Sequence, residues 1–390
     1  VPNRIREHAA AQKRPGTAAA PSPTHRYARR VQRIAVLTSG GDAPGMNSAI
    51  WAVMKLAASR GIDVVGVQRG YDGLMDGDFR PLTRSTSTGD RAPVAGIDWL
   101  AGTGGTFLGS SRSPRFETTA GRAEASRQLE SSGIEGLIVI GGNGSLTGAH
   151  LLAGEGPTPI VGIPASIDND VGGTTAAIGV DTALNTIINA IDNIADTARS
   201  HRRAFILEVM GRRSGYLAMA AAAAASADGA LIPEDLKSEV ELLDGLEALV
   251  RDSFAAERSK QRVIIIKAEG VDVPCTRLAR LLGDRIEDLQ GVDVRAAVLG
   301  HIVRGGRPTY RDRIVAGRLA LGAMVALLQG RSDVMAAWNA GTGTATPDGN
   351  VTLIDLEYML AETAAMLDGS SELVRRRIRL MQEVQGVLAL

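Results

Sequence analysis

Two carboxylates, Asp168 and Asp170, stand just past the short aliphatic run Ile160-Val-Gly-Ile163 and Pro164. Upstream, Leu137-Ile-Val-Ile140 runs straight into Gly141-Gly142-Asn143-Gly144-Ser145. Unbroken aliphatic runs of this length read as parallel strands buried on both faces. A strand that empties through glycines into a helix aims bare backbone N–H groups and the positive end of a helix dipole at one point, which suits a phosphate. A phosphate cradle beside two carboxylates at the neighbouring strand end holds the parts that phosphoryl transfer needs: a seat for phosphates, a metal ligand and a base.

The elements that must position these groups follow the same grammar along most of the chain. The run 34–38 leads into Ser39-Gly40-Gly41-Asp42-Ala43-Pro44-Gly45-Met46-Asn47, with a helix expected from Met46 towards Ser59. A strand at 63–67 leads to Gly70-Tyr71-Asp72-Gly73, and 103–114 is a further glycine loop that carries Arg112. An arginine on such a loop can reach a phosphoryl group in transfer, although taken alone Arg112 reads as an ordinary surface residue. Strands expected at 205–210, 230–232, 262–266 and 294–299 end at Gly211-Arg212, Pro233-Glu234, Lys267-Ala-Glu269 and Gly300-His301, with helices at 181–197, 239–257 and 312–328 between or after them. Strands alternating with helices at this spacing mean parallel sheets with crossover helices, whose ligand crevices form at the strand C-terminal ends. The texture changes from Arg331. A loop is expected at 341–350, a helix at 353–367, and a second amphipathic helix at 372–390 whose basic face, Arg375 to Arg377, reads as solvated.

Composition narrows the function classes. Across 390 residues, 43 basic and 43 acidic side chains cancel, so no net field favours nucleic acid or an anionic membrane. Aromatic residues make up 3% of the chain, too few for base-stacking platforms. A single cysteine, Cys275, excludes an intramolecular disulfide framework and fits a reducing compartment, so a cytoplasmic location is expected. Residues 1–30, rich in Ala, Pro and Arg without periodicity, read as a disordered basic arm. No hydrophobic segment follows them to make a targeting peptide.

With these residues laid out, the chain resembles the 6-phosphofructokinase family, ATP-dependent and of the bacterial type. The resemblance covers about 33–328 and rests on motifs in fixed order: Gly40-Gly-Asp-Ala-Pro-Gly-Met-Asn47, Gly105-Thr-Phe-Leu-Gly-Ser110 with Arg112, Ile167-Asp-Asn-Asp170, Met210-Gly-Arg212 and Gly300-His-Ile-Val-Arg-Gly-Gly306. It implies two similar three-layer α/β domains with mainly parallel sheets and an active site in the cleft between them. Residues 31–179 and 303–353 would form the nucleotide domain, and 180–302 and 354–390 the sugar-phosphate domain with C-terminal helices. Asp168 would take the proton of the attacking sugar hydroxyl. Arg112 and Arg212 would stabilise the phosphoryl group in flight. Gly41, Tyr71, Arg112, Gly142, Asn143, Gly144 and Ser145 would hold ATP, with Asn143 and Asp170 beside Mg²⁺. Ser166, Asp170, Met210, Glu269, His301 and Arg304 would grip a ketose 6-phosphate. Arg203 and Arg295 would reach the 6-phosphate from a neighbouring subunit, so a homotetramer or homodimer with shared sites is implied, with neither nucleic acid nor membrane as a partner.

The departures from the family pattern are informative. Asn143 stands where the family carries a metal-binding aspartate, and an amide loses a full negative charge beside Mg²⁺. Pyrophosphate-using relatives carry an acidic residue at the position of Gly144 and a lysine at that of Ala165. Both residues are small here, which leaves room for the α-phosphate of ATP. Trp51, Ala195 and Asp228 depart from the family's effector site, so regulation by ADP or phosphoenolpyruvate is not expected. The main alternative is a kinase or AMP-releasing pyrophosphokinase on a related ketose phosphate, such as psicose 6-phosphate or sedoheptulose 7-phosphate. A non-catalytic sugar-phosphate-binding member, for which Asn143 is the only support, is the second. NAD or lipid kinases share a similar glycine loop but lack the later motifs.

Overall fold

The computed structural model of the chain describes residues 31–255, 257, 260–339 and 346–388. The arm expected at 1–30 and the first half of the loop expected at 341–350 lie outside the described residues. In chain order the strands are β1 (Arg33–Ser39), β2 (Asp63–Val67), β3 (Phe79–Pro81), β4 (Thr83–Ser85), β5 (Arg91–Pro93), β6 (Leu137–Gly141), β7 (Ile160–Pro164), β8 (Arg203–Val209), β9 (Gly229–Leu231), β10 (Val263–Ala268), β11 (Asp293–Val298), β12 (Val334–Trp338) and β13 (Val351–Asp355). Among the described residues they form a seven-stranded sheet, β13-β12-β7-β6-β1-β2-β3, a four-stranded sheet, β11-β8-β10-β9, and the hairpin β4-β5. The large sheet is parallel except for its antiparallel edges β3 and β13, and the four-stranded sheet is parallel throughout.

Strands buried on both faces explain the unbroken aliphatic runs. In β1, Ile34 and Val36 face one core while Ala35 and Leu37 face another. In β10, Ile264 and Ile266 point one way and Val263 and Ile265 the other. The core holding Ile34 also holds Ile264, so it is continuous between the sheets through helices Met46–Ala58, Val180–His201, Tyr216–Ala224 and Tyr310–Leu328. Register keeps the turn residues level: Ser39 pairs with Gly141 and Gly141 with Pro164 in one sheet, Val209 with Ala268 and Glu208 with Val298 in the other.

The C-terminal part differs from the sequence expectation. Val334–Trp338 and Val351–Asp355 form an antiparallel pair that extends the large sheet, and the expected helix at 353–367 is confined to Leu356–Leu367. The run Val-Met-Ala-Ala-Trp is buried along most of its length and poor in β-branched residues, so periodicity alone could not separate strand from helix there. The expected domain break at 353/354 falls inside β13. The helix after it lays Leu356 and Met359 into the core of the large sheet, and helix Glu372–Leu388 is the element that packs on Tyr216–Ala224 of the second domain. Among the described residues no helix is long and apolar enough to cross a membrane.

The two halves are joined by a buried carboxylate. Asp312, near the start of helix Tyr310–Leu328, accepts from the amides of Gly179 (3.0 Å) and Thr182 (2.8 Å) and from the Thr182 hydroxyl (2.5 Å), which anchors the first turn of helix Val180–His201. Asp312→Ala leaves those donors unpaired in a dry joint. It should lower stability by about 2–4 kcal/mol, seen as a lower denaturation midpoint, whereas Asp312→Asn, which keeps an acceptor, should lose less.

Candidate active site

The C-terminal ends of β1, β6 and β7 open onto a cavity of about 480 Å³. Its floor is the N-terminus of helix Asn143–Glu155, which has no side-chain cap, so the first-turn N–H groups are left for a ligand. Gly142, Asn143, Gly144 and Ser145 all line it, and a Cβ built on Gly144 meets nothing within 4 Å, so only hydrogen keeps this part of the space open. At the far end Tyr71 and Phe116 stack at 3.8 Å beside Leu151. Tyr71 contributes its ring alone, because its hydroxyl donates to the Ser145 carbonyl at 2.6 Å and burial pushes its pKa up. The cavity thus has an anion-binding end and an apolar end.

Asp168 and Asp170 reach the same cavity because Asn169 between them adopts a left-handed conformation, φ 49°. Asparagine tolerates this conformation when its side chain bonds locally; here Nδ2 donates to the Thr175 carbonyl and Oδ1 accepts from the Ala177 amide. Asp168 is 2% exposed. Its Oδ2 lies 3.5 Å from Nε of Arg212 and 3.9 Å from Nη2 of Arg304, while Oδ1 is buried without a hydrogen-bond partner. Burial above all, then the neighbouring Asp170, pushes its pKa up to about 6 against the pull of Arg304 and Arg212, with Glu269 adding to the rise. Asp170 accepts from the Ser166 hydroxyl at 2.9 Å.

A second cavity of about 570 Å³ adjoins the first, sharing Gly40, Gly41, Arg112, Arg212 and Arg304 with it. It is lined further by Met210, Glu269 and His301 from the ends of β8, β10 and β11, so the strand ends of both sheets meet across it. Arg304 crosses the cleft towards Gly41, where a Cβ would come within 2.8 Å of its Nη1. Glu269 turns its carboxylate to the amides of Gly211 (3.2 Å) and Arg212 (2.7 Å) and holds Arg212 at φ 52°. Sequence reasoning had given Glu269 to the ligand; in this structure it also shapes the arginine loop.

Most of the expected residues are thereby brought together; Arg203 and Arg295, which the resemblance assigns to a neighbouring subunit's site, and the side chain of Asn143 stand apart. Arg203 and Arg295 line neither cavity. Both pair with Asp293 at the opposite end of the second sheet from Met210, about 20 Å of strand away. Asn143 is near Asp170, but its amide is engaged by protein at both ends: Nδ2 donates to the Asp170 carbonyl (3.1 Å) and Oδ1 accepts from the Thr363 hydroxyl (3.2 Å). A carboxylate could not make the first bond, so the amide matches its surroundings here. Among the described residues no group of three or more His, Cys, Asp or Glu is arranged to hold a metal. The Asp170 carboxylate, which lines the cavity beside the Gly142 to Ser145 turn, fits a Mg²⁺ that takes its other ligands from phosphates and water. Phe116 and Leu151 were missed because isolated apolar residues look like core in a sequence.

An open phosphate cradle in one α/β domain, facing arginines carried by the other across a buried carboxylate, defines a two-domain phosphotransferase. Residues 33–327 match the profile of the family described as Phosphofructokinase. The ATP-dependent 6-phosphofructokinase of Thermotoga neapolitana is 49% identical over 307 residues, 79% of this chain and 90% of that one. The ATP-dependent 6-phosphofructokinase 1 of Thermus thermophilus is 42% identical over 340 residues, 85% of this chain and 100% of that one. Among solved structures, phosphofructokinase from Saccharomyces cerevisiae superposes with a TM-score of 0.75 at 31% identity, covering 91% of this chain and 49% of that one, so this chain spans about half its length. A pyrophosphate-dependent phosphofructokinase from Marinobacter aquaeolei, TM-score 0.68 at 19% identity over 84% of each chain, shares the fold. The chain belongs to the phosphofructokinase family.

The raised pKa of Asp168 carries a stability signature. Between the ordinary carboxylate pKa and about 6 the folded state binds the extra proton, so this contribution is fully present below about pH 4 and is lost as pH rises through about 6. Asp168→Asn removes that penalty. It should be more stable than the parent at pH 8 by up to about 3 kcal/mol, a difference that shrinks on acidification, as read by denaturant unfolding at each pH.

Proposed function

We propose that the protein transfers the γ-phosphoryl group of ATP to fructose 6-phosphate or a close ketose 6-phosphate. The observation that carries this is Asp168: a dry carboxylate with one unpartnered oxygen that lines the first cavity and faces Arg212 and Arg304, which also line the second cavity with His301 and Glu269. The names of the ATP-dependent relatives and the open space at Gly144 support ATP as donor.

In this reading the sugar hydroxyl donates to Asp168, whose pKa near 6 leaves it ionised at neutral pH yet basic enough to take the proton. The sugar oxygen forms its bond to the γ-phosphorus as the bond to the β,γ-bridging oxygen breaks, and ADP leaves. Arg112 and Arg212, which line both cavities, meet the charge on the transferring group. The amides at Gly142 to Ser145 hold the phosphates of the nucleotide, with Tyr71 and Phe116 bounding the apolar end where a base fits. Ser166, Met210, Glu269, His301 and Arg304 orient the sugar. Asp170, with phosphate oxygens, would hold Mg²⁺, which when bound offsets phosphate charge. Arg203 and Arg295, remote from this chain's own cavities, serve the 6-phosphate in a neighbouring subunit of a homo-oligomer; Asp293 holds them together at that edge.

Incubation with ATP, Mg²⁺ and a panel of ketose phosphates, psicose 6-phosphate and sedoheptulose 7-phosphate included, should release ADP and form a sugar bisphosphate; AMP as the nucleotide product would overturn the reading. Asp168→Ala should lower kcat by about 10³-fold or more, and kcat/KM of the parent should fall below about pH 6. Gly144→Asp, which places a carboxylate in the phosphate cradle, should raise the KM for ATP at least tenfold, an electrostatic and steric cost of about 1.4 kcal/mol, with the KM for the sugar little changed. Asp228 is already held by Lys260 and the Ile264 amide, and ADP should not produce cooperative activation in a velocity titration.

A further inference from the structure

The basic face of the last helix, expected to be solvated, contains one arginine that is not. Arg375 donates to the Gly369 carbonyl and Arg379 pairs with Glu372, both at the surface. Arg377 points inward. Its Nη1 donates to the Asn169 carbonyl (3.3 Å) and its Nη2 to the Thr175 carbonyl (3.1 Å), while Cζ lies 4.9 Å from the centre of the Tyr216 ring. Among the described residues it forms no ion pair with a carboxylate.

The partners decide what this contact does. Asn169 is the left-handed residue that turns Asp168 and Asp170 into one cavity, and Thr175 is the carbonyl to which the Asn169 side chain is tied. Tyr216 opens helix Tyr216–Ala224, directly after the loop that carries Arg212. One guanidinium therefore touches the carboxylate turn of one domain and the root of the arginine loop of the other. Thr363, on the preceding helix, supports the same turn from behind by accepting from the Gly172 amide (2.9 Å) and donating to Asn143.

We propose that Arg377 is a positioning residue, a strut that fixes the Asp168-Asn169-Asp170 turn relative to the Arg212 loop across the cleft. Two carbonyls of a strained turn are held by one rigid planar fork, which a lysine ammonium cannot reproduce. The aromatic face supplies a weaker, compliant contact on the other side. The inference rests on the phosphoryl-transfer reading for its effect on turnover, but the strut itself is readable without turnover.

The test uses the full chain as parent, Arg377→Met, Arg377→Lys, Tyr216→Leu and the double variant Arg377→Met with Tyr216→Leu. Arg377→Met should lower kcat tenfold or more with the KM for ATP within about twofold, because Arg377 makes no contact with Gly142 to Ser145. Arg377→Lys should recover part of the loss, and the double variant should lose less than the product of the single effects. Hydrogen exchange of folded Arg377→Met should quicken across 166–178 and stay unchanged across 137–141. Should the Met variant fail to fold, the Lys variant carries the same comparison. A kcat within twofold of the parent, unchanged exchange at 166–178, or loosening spread evenly over the chain would overturn the strut. If the parent transfers no phosphoryl group while 166–178 still loosens in the variant, the strut stands and the functional reading falls.

Discussion

A carboxylate that is almost wholly buried and still lines an open cavity is a demanding arrangement, and the surroundings of Asp168 are organised around meeting that demand. Water cannot solvate it, so its charge is tolerated because Arg212 and Arg304 stand 3.5 and 3.9 Å away, close enough for attraction and too far to saturate both oxygens. Full pairing would satisfy the carboxylate and lower its basicity. No cationic neighbour at all would leave it protonated.

That balance needs two domains. Asp168 belongs to the turn after β7, Arg212 follows β8 and Arg304 follows β11, so the carboxylate comes from one sheet and its partners from beyond the other. Parallel strands deliver all of these turns to one edge, and the level registers in both sheets keep them at one depth. The continuous core between the sheets and the Asp312 joint hold the two edges facing one another. The first cavity faces backbone amides at Gly142 to Ser145, and the second faces arginines that also line the first.

Much of this was legible in the sequence because its causes are local. Aliphatic runs ending in glycines identified β1 and β6, one ending in Pro164 identified β7, and Asp168 and Asp170 were found because they follow that last run closely. The hairpin β12–β13 was not legible, since a buried run poor in β-branched residues fits either strand or helix. Phe116 and Leu151 were missed for a similar reason: the sequence shows that a residue is apolar but not whether its neighbour is core or cavity. The engagement of Asn143 by Asp170 and Thr363, 27 and 220 residues away, has no local signature.

The sequence by itself determined the α/β class, the glycine turn after β6 and the carboxylate pair, because backbone conformation and burial on a strand depend on residues close in the chain. The tertiary structure alone decided that Arg377 faces inward and that the C-terminal helices brace the turn at Asn169. Those outcomes depend on which surfaces are left after the two sheets have packed. A charged side chain reads the same in sequence whether water or a carbonyl receives it, and only the packed neighbours settle which.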